Sequence, residues 1–323
     1  MNKFQPIQTD QTFIGIDVAK DSIAVFIDST NQHLECLNQT KDLRQLARKL
    51  KKLNPQLIVL EATGGYETLS AVVFSEFELP FAIVYPRRVR QFAFGLGLIA
   101  KTDEIDAEAL AYYGRVAKIQ ARPLQSNELR TLSAAATRRQ QLIEMRLAEQ
   151  NRLETSLPAM HANINKQLEW LKQEIEEIEN DINQQIQTSE AWKETDELLQ
   201  SVPGVGKVLS STLICELPEL GQLDDKKIAA LVGVAPFPAD SGKIKGKRFC
   251  RGGRNGVRRV LYMATLTATR FNPIIKKHYD NLCARGKLKK VALIACARKL
   301  LVILNAMVRN NVPWQAKNNA ISS

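Results

Sequence analysis

The chain has 323 residues, enough for two or three domains, and its 45% apolar and 24% charged residues are ordinary for a soluble globular protein. Its net charge of +11 is unevenly placed: Ser241 to Arg309 holds 18 Lys and Arg against one acid, Asp280, leaving the rest of the chain at −6. A basic excess sustained over so long a stretch favours a polyanion partner, nucleic acid, over a merely solvated basic face.

The first segment alternates strand and helix signals. Phe13–Val18, Ser22–Asp28 and His33–Leu37 predict three successive strands in a meander, and Leu43, Leu46, Ala47, Leu50 and Leu53 repeat at helical spacing. A short apolar strand follows at Leu57–Leu60, then a helix over Tyr66–Glu76, a strand over Phe81–Tyr85 ended by Pro86, and a helix over Arg88–Phe94. Three strands, helix, strand, helix, strand, helix is the order of the ribonuclease-H-like fold. It puts Asp17 on the first strand and Glu61 at the end of the fourth, and it lets Asp103 and Asp106, at i and i+3 of a late helix, return to the sheet. A carboxylate in a hydrophobic strand is costly unless a cation meets it. Each acid alone has a plain reading as a turn cap, a strand-end charge or a first-turn helix acid. Together they could hold a pair of Mg²⁺ ions whose remaining ligands are substrate phosphates. Actin-like ATPases also begin with Gly-x-Asp, but the glycine-rich turn and second motif copy they need are missing.

From Ser126 to Asp196 the pattern is helical. Leu168, Leu171, Ile175, Ile178 and Ile182 step by three and four, as in a coiled-coil seam. The seam serves either self-association or an intramolecular hairpin turning at Pro158.

The last segment opens with Val202-Pro203-Gly204-Val205-Gly206-Lys207 between two helical patterns, as in a helix-hairpin-helix turn whose N–H groups bind phosphate. A plain tight turn is the alternative. After a helix over Lys226–Val232 and a Pro236-Phe237-Pro238 break comes Asp240-Ser241-Gly242. On its residues alone this is a common turn; a serine nucleophile needs activation, and no histidine stands near it. Lys243, Lys245, Lys247, Arg248, Arg251, Arg254, Arg258 and Arg259 follow as candidate phosphate contacts. Arg251-Gly252-Gly253-Arg254 reads as a flexible loop entering a helix with Val257, Leu261 and Met263, and Tyr262 reads as core. Val291–Val308, interrupted by Arg298, Lys299 and Asn305, predicts a buried helix rather than a membrane span. Five scattered cysteines without a CxxC pair, three dispersed histidines and no basic-then-apolar leader speak against a structural zinc and for a reducing cytoplasm.

Gly15-Ile16-Asp17, Glu61-Ala62-Thr63-Gly64-Gly65-Tyr66, Lys101-Thr102-Asp103-Glu104-Ile105-Asp106-Ala107, Val202-Pro203-Gly204-Val205-Gly206 and Arg258-Arg259-Val260-Leu261-Tyr262-Met263 occur in one order along nearly the whole chain. In these motifs the chain resembles the bacterial insertion-sequence transposases of the IS-one-ten and Piv pilin-invertase family. The resemblance implies a ribonuclease-H-like (RuvC-like) catalytic domain over residues 1–125, with Asp17, Glu61, Asp103 and Asp106 as an Mg²⁺-binding quartet. It also implies a helical coiled-coil and oligomerisation segment over 126–196. The third part is a mainly helical transposase domain over 197–323, with Ser241 as the nucleophile that becomes linked to DNA. Family members pair a structured noncoding guide RNA with donor and target DNA. They work as dimers that join into tetramers, with one protomer's acids serving another's serine. The chain is thus expected to recombine DNA at element ends and targets in the bacterial cytoplasm, with no membrane partner. A metal-dependent junction nuclease that uses water in place of Ser241, and a regulator that has lost catalysis, are the alternatives.

Overall fold

The computed structural model describes residues 11–98, 100, 102–122, 124, 126–238, 246 and 248–315, in two compact units, Met1–Gln125 and Ser126–Ser323. The first unit is α/β. Strands β1 (Phe13–Val18), β2 (Ser22–Ile27) and β3 (Gln32–Leu37) form an antiparallel meander; helix α1 (Thr40–Lys52) leads to β4 (Leu57–Glu61), α2 (Glu67–Glu76), β5 (Phe81–Val84), α3 (Pro86–Gly95) and α4 (Asp103–Val116). The sheet order is β3-β2-β1-β4-β5, with β4 parallel to both β1 and β5. Alternation along β1 divides its side chains between two cores. Ile14, Ile16 and Val18 pack with Leu43, Leu46 and Leu50 of α1 and Phe74 of α2. Phe13 on the opposite face joins Leu57, Val59, Val89 of α3 and Leu110 of α4.

Most boundaries shift by a residue from the sequence reading, and two of the differences have a clear physical cause. Helix α3 begins at Pro86 rather than Arg88, because proline at N1 lacks only an N–H the helix would leave unpaired and already has the right φ. Strand β2 stops at Ile27; the Asp28 N–H still donates to the Phe13 carbonyl (3.1 Å), and its side chain is buried. Its Oδ1 accepts from the Phe13 N–H (2.8 Å) and its Oδ2 from Arg115 Nε (2.9 Å), with a second, shorter contact from Arg115 Nη2. Arg115 also donates to the Gln11 carbonyl and lies 4.9 Å from the centre of the Phe13 ring. The C-terminal end of α4 is thereby fixed to the start of β1.

Among its described residues, the second unit is helical apart from one short strand pair. Helices α5 (Asn127–Thr155) and α6 (Pro158–Thr188) form a long pair joined at Ser156 and Leu157, followed by α7 (Glu190–Gln200), α8 (Lys207–Glu216) and α9 (Asp225–Val232). Strands β6 (Pro236–Phe237) and β7 (Phe249–Cys250) pair antiparallel, and α10 (Asn255–Phe271), α11 (Pro273–Ala284) and α12 (Lys289–Asn310) complete the unit. The apolar seam packs within the chain: Leu171 and Ile175 are buried against Leu142 of α5, with Ile178 half-buried beside them. The lower part of the pair is continuous with the rest, since Leu132, Ala136, Ile182 and Ile186 share a core with Leu213, Leu261 and Leu300. Helix α12 is long and apolar enough to cross a membrane, but Cys296, Leu300, Leu301 and Leu304 are wholly buried in this core. Asn305, the polar interruption in α12, accepts from the Gly221 N–H (2.8 Å) and donates to the Leu223 carbonyl (2.9 Å). Tyr262, expected in the core, is only half-buried, and its neighbour Met263 is exposed, because α10 turns Leu261 and Thr265 inward instead.

Helix α4 crosses the sheet over β1 at Gly15, where a Cβ would stand 1.9 Å from the Ala107 carbonyl oxygen and 2.5 Å from the Ala111 nitrogen. Both neighbours are backbone, so neither can rotate away. We expect Gly15→Ala to destabilise the first unit by about 1–3 kcal/mol or more. Urea melts followed by circular dichroism check this; an unchanged midpoint would mean that α4 is free to lift from β1.

Candidate active site and nucleic-acid interface

The close approach at Gly15 decides where the acids go. Asp17 lies two residues further along β1 and therefore on the same face, the one α4 covers. One turn of α4 before Ala107 is Asp103, so the N-terminal turn of the helix reaches the sheet beside Asp17. The register extends the row to both sides. Asp17 pairs with Ala24, which pairs with Glu35. On the other side Ile16 pairs with Leu60, making Asp17 and Glu61 the next positions on adjacent strands, whose spacing is about 4.8 Å. Glu61 itself pairs with Val84 of β5.

The first turn of α4 carries three acids, Asp103, Glu104 and Asp106. Thr102 caps the helix, its hydroxyl accepting from the Ile105 N–H (3.2 Å). Carboxylates at this end are favoured by the helix dipole, which offsets part of their mutual repulsion. Two clefts flank the turn. One, of about 410 Å³, is bounded by Asp17, Asp103 and Glu104 together with His33 and Glu35. The other, of about 450 Å³, is bounded by Glu61 and Asp106 on one side and Arg87, Arg90 and Phe94 of α3 on the other. The quartet is therefore gathered around one helix end, as Asp17 with Asp103 and Glu61 with Asp106. Among the described residues, no three His, Cys, Asp or Glu form a group able to hold a metal ion on protein ligands alone. Carboxylate pairs nevertheless fit Mg²⁺, which is bound through one or two carboxylates and keeps water and phosphate oxygens as its other ligands.

Several residues around these clefts escaped the sequence reading. His33 and Glu35 sit on β3 with the α4 face, and His33 Nε2 lies 3.1 Å from Glu108 Oε1 of α4. Their alternation on β3 carried the signal, but which face counted depended on the pairing with β1. Glu67, the first residue of α2, braces the turn after Glu61: one carboxylate oxygen accepts from the Thr63 N–H (3.1 Å), the Thr63 hydroxyl (3.2 Å) and the Gly65 N–H (2.8 Å). Arg90 Nη1 is 3.9 Å from Asp106 Oδ1, and its guanidinium lies 4.5 Å from the centre of the Phe94 ring.

In the second unit α7 and α8 are joined through the turn 201–206. Gly204 has φ +96°, and a Cβ there would meet the backbone of Ala268 on α10 at 2.6 Å, so its absence of side chain serves packing. Gly206 and Lys207 differ: both are exposed, and α8 starts there without a side-chain cap, leaving its first N–H groups available to an anion. Asp196, buried, ties α7 to α8 by accepting from Ser210 Oγ (2.6 Å), and it also accepts from Gln200 Nε2 (2.8 Å) within α7.

The arginines of the basic block divide. Arg254 is committed internally, with Nη2 2.7 Å from Glu219 Oε1 and Nη1 2.8 Å from the Glu216 carbonyl oxygen. Arg258 donates to the carbonyls of Gly233 and Gly252 and to Asn255 Oδ1 (3.0 Å). The Arg251-Gly252-Gly253-Arg254 segment is consequently a docked turn rather than a flexible loop: a Cβ on Gly253 would stand 2.4 Å from the Gly233 nitrogen at the end of α9. Arg248 and Arg251 are exposed on either side of β7, and Arg259, also exposed, is 3.6 Å from Glu144. Ser241, Lys243, Lys245 and Lys247 lie outside the described residues, in the chain between β6 and β7.

Beneath this turn, burial pushes the Glu216 carboxyl above its ordinary range, against the lowering pull of Arg254, Arg139 and Arg259. A raised carboxylate contributes stability that is complete below its unfolded value and lost as pH rises through the folded one. We therefore expect Glu216→Gln to stabilise the protein at pH 8 relative to the parent, with the advantage shrinking towards pH 4. Denaturant melts across that range test it; a constant offset would assign the effect to lost hydrogen bonds instead.

Comparison with known proteins gives a consistent picture. A family model described as transposase matches residues 14–162, and a second, described as transposase IS116/IS110/IS902 family, matches residues 196–280. The pilin gene-inverting protein of Moraxella bovis is 28% identical over 319 residues, covering 95% of this chain and 98% of its own length. Its counterpart from Moraxella lacunata matches to the same extent. The transposase for insertion sequence element IS1328 of Yersinia enterocolitica is 23% identical over 332 residues, covering 88% of this chain and 95% of its own.

Proposed function

Since this chain belongs to the IS116/IS110/IS902 family of transposases and is a DNA recombinase, we propose that it moves a mobile element by serine attack on a DNA phosphate beside the Asp17, Glu61, Asp103 and Asp106 carboxylates. The observation that carries the acidic half is the packing of α4 on β1 at Gly15, which gathers all four acids around one helix end. The sheet order, a meander followed by parallel β4 and β5, supports a ribonuclease-H-like, RuvC-like assignment for residues 1–125.

In this reading Asp17 with Asp103, and Glu61 with Asp106, hold Mg²⁺. The metal would supply Lewis-acid stabilisation of charge developing on phosphate oxygens. Ser241 Oγ forms a bond to phosphorus as the bond to one deoxyribose oxygen breaks; the serine proton leaves to a base, and the displaced oxygen takes up a proton. The covalent link conserves the phosphoester, so the same serine can be displaced when strands rejoin. Arg248 and Arg251, exposed at the root of the segment that carries Ser241, are suited to hold the phosphate there, and the uncapped start of α8 at Gly206 and Lys207 to hold the backbone further off. Arg254 and Arg258 act through the fold, by fixing the turn from which α10 starts.

Guidance by a structured RNA, assembly of dimers into tetramers through residues 126–196, a separate transposase domain over 197–323, and action in the bacterial cytoplasm complete the proposal. They rest on the family resemblance. The competing chemistry is hydrolysis by an activated water at the same acids.

Protein, Mg²⁺, labelled element-end DNA and RNA from the element's flanking region are mixed and run on a denaturing gel. An adduct that survives denaturation and disappears in both Ser241→Ala and Asp17→Ala is the expected outcome. Cleavage without an adduct, retained in Ser241→Ala and lost in Asp17→Ala, would replace the recombinase chemistry by that of a hydrolytic nuclease.

A further inference from the structure

The second cleft has two unlike walls. Glu61 and Asp106 form one; the other is α3, whose sequence Pro86-Arg87-Arg88-Val89-Arg90-Gln91-Phe92-Ala93-Phe94-Gly95 holds three arginines and no acid. Val89 and Ala93 are buried against the sheet, which turns Arg87, Arg88, Gln91 and Phe94 outward. Two aromatic rings stand exposed at its ends: Tyr85, 66% exposed, is the residue after Val84, the sheet partner of Glu61, and Phe94, 52% exposed, lines the cleft itself.

A phosphodiester approaching Glu61 and Asp106 without a bound metal meets like charge, and a cation on the facing wall offsets that repulsion. Arg87, exposed on the facing wall, supplies the opposite charge at the place where it is needed, while Arg90, 3.9 Å from Asp106 and lying over the Phe94 ring, is already engaged within the cleft. The aromatic faces add a second kind of contact. Exposed rings interleaved with arginines stack on bases while the cations track the backbone, as in single-strand binding surfaces. In a duplex the base faces are already stacked on one another, so only an unpaired strand can use them.

We propose that α3, with Tyr85 and Phe94 at its ends, is a track for an unpaired nucleic-acid strand, which it leads to the Glu61–Asp106 side of the acidic site. Its relevance to strand exchange rests on the recombinase reading above, but binding to the track does not require the serine or the metal. The first unit is thereby a nucleic-acid-binding surface in its own right, independent of the basic block between Ser241 and Arg309.

The test uses the full chain in EDTA and an oligonucleotide of about twenty nucleotides carrying 5-iodouracil, photocrosslinked and mapped by mass spectrometry. Arms of single-stranded DNA, single-stranded RNA and duplex DNA are compared. A crosslink to Tyr85 or Phe94 with either single strand, absent with the duplex, is expected, and the relative yields say which strand the track prefers. Tyr85→Ala with Phe94→Ala, and separately Arg87→Glu with Arg88→Glu, should lower that crosslink about tenfold or more. Phe94→Tyr should retain it, and circular dichroism verifies that the variants are folded. Ser241→Ala should give the same crosslink as the parent, so failure of the covalent mechanism leaves this result standing. Crosslinks confined to residues beyond 126, or equal yields at α3 with duplex and single strands, would overturn the proposal.

Discussion

Everything in the first unit turns on a contact in which a side chain is missing. Helix α4 lies on β1 so closely at Gly15 that the Ala107 carbonyl occupies the place of a Cβ. Interiors are packed at crystal-like density, so a contact of this kind fixes the position of a helix along the strand as well as its distance from it. The Asp28–Arg115 pair anchors the other end of the same helix, with both side chains largely removed from water. Held at its middle and at its C-terminal end, α4 sets its N-terminal turn over the sheet. That turn carries Asp103 and Asp106, and the strand beneath it carries Asp17. Backbone packing several residues away thus brings together like charges that would otherwise separate.

Charge in the second unit serves two purposes that composition cannot distinguish. Arg139, Arg254 and Arg258 spend their donors on Glu179, Glu219 and backbone carbonyls. A guanidinium so engaged has few donors for a phosphate, and removing it leaves a carboxylate or carbonyl unpaired. Arg248 and Arg251, three residues apart in the same basic run, face solvent at β7. What separates the groups is the docking of the Gly252–Gly253 turn on the end of α9, which turns Arg254 inwards and leaves Arg251 outside.

Buried polar groups give the helical unit its specificity. Asp196 ties α7 to α8 through Ser210, Asn305 satisfies the turn around Gly221, and Asn272 caps α11 at the Ile274 and Ile275 N–H groups while reaching the Pro203 carbonyl (3.4 Å). Each is fully or nearly fully buried with its partners in place, which is the condition under which buried polarity selects one arrangement rather than weakening all of them. Of this set, the Asp196–Ser210 bond ties the first turn of α8, whose start at Gly206 and Lys207 is exposed, to α7.

The strands and helices of the first unit were legible because β1, β4 and β5 are short apolar runs and α1 repeats at helical spacing, patterns set by neighbours in the chain. Asp17 and Glu61 stood out for the same reason, since a carboxylate in Phe13–Val18 or at the end of Leu57–Glu61 interrupts a local pattern, and Asp103 and Asp106 by their i, i+3 spacing at a helix start. The coiled-coil seam was equally visible, but its partner was not, since Leu171 and Ile175 would suit a helix from either the same or another chain; Leu142 of α5 settles the packing within one chain. His33 and Glu35 became neighbours of Asp17 only through strand register, and Arg87, Arg90 and Phe94 became neighbours of Glu61 only through the placement of α3. Periodicity and local chemistry are properties of consecutive residues, and the sequence alone determines them. Which arginines are free, which faces meet and which acids share a cleft depend on contacts between residues far apart in the chain, and those are decided by how the elements pack.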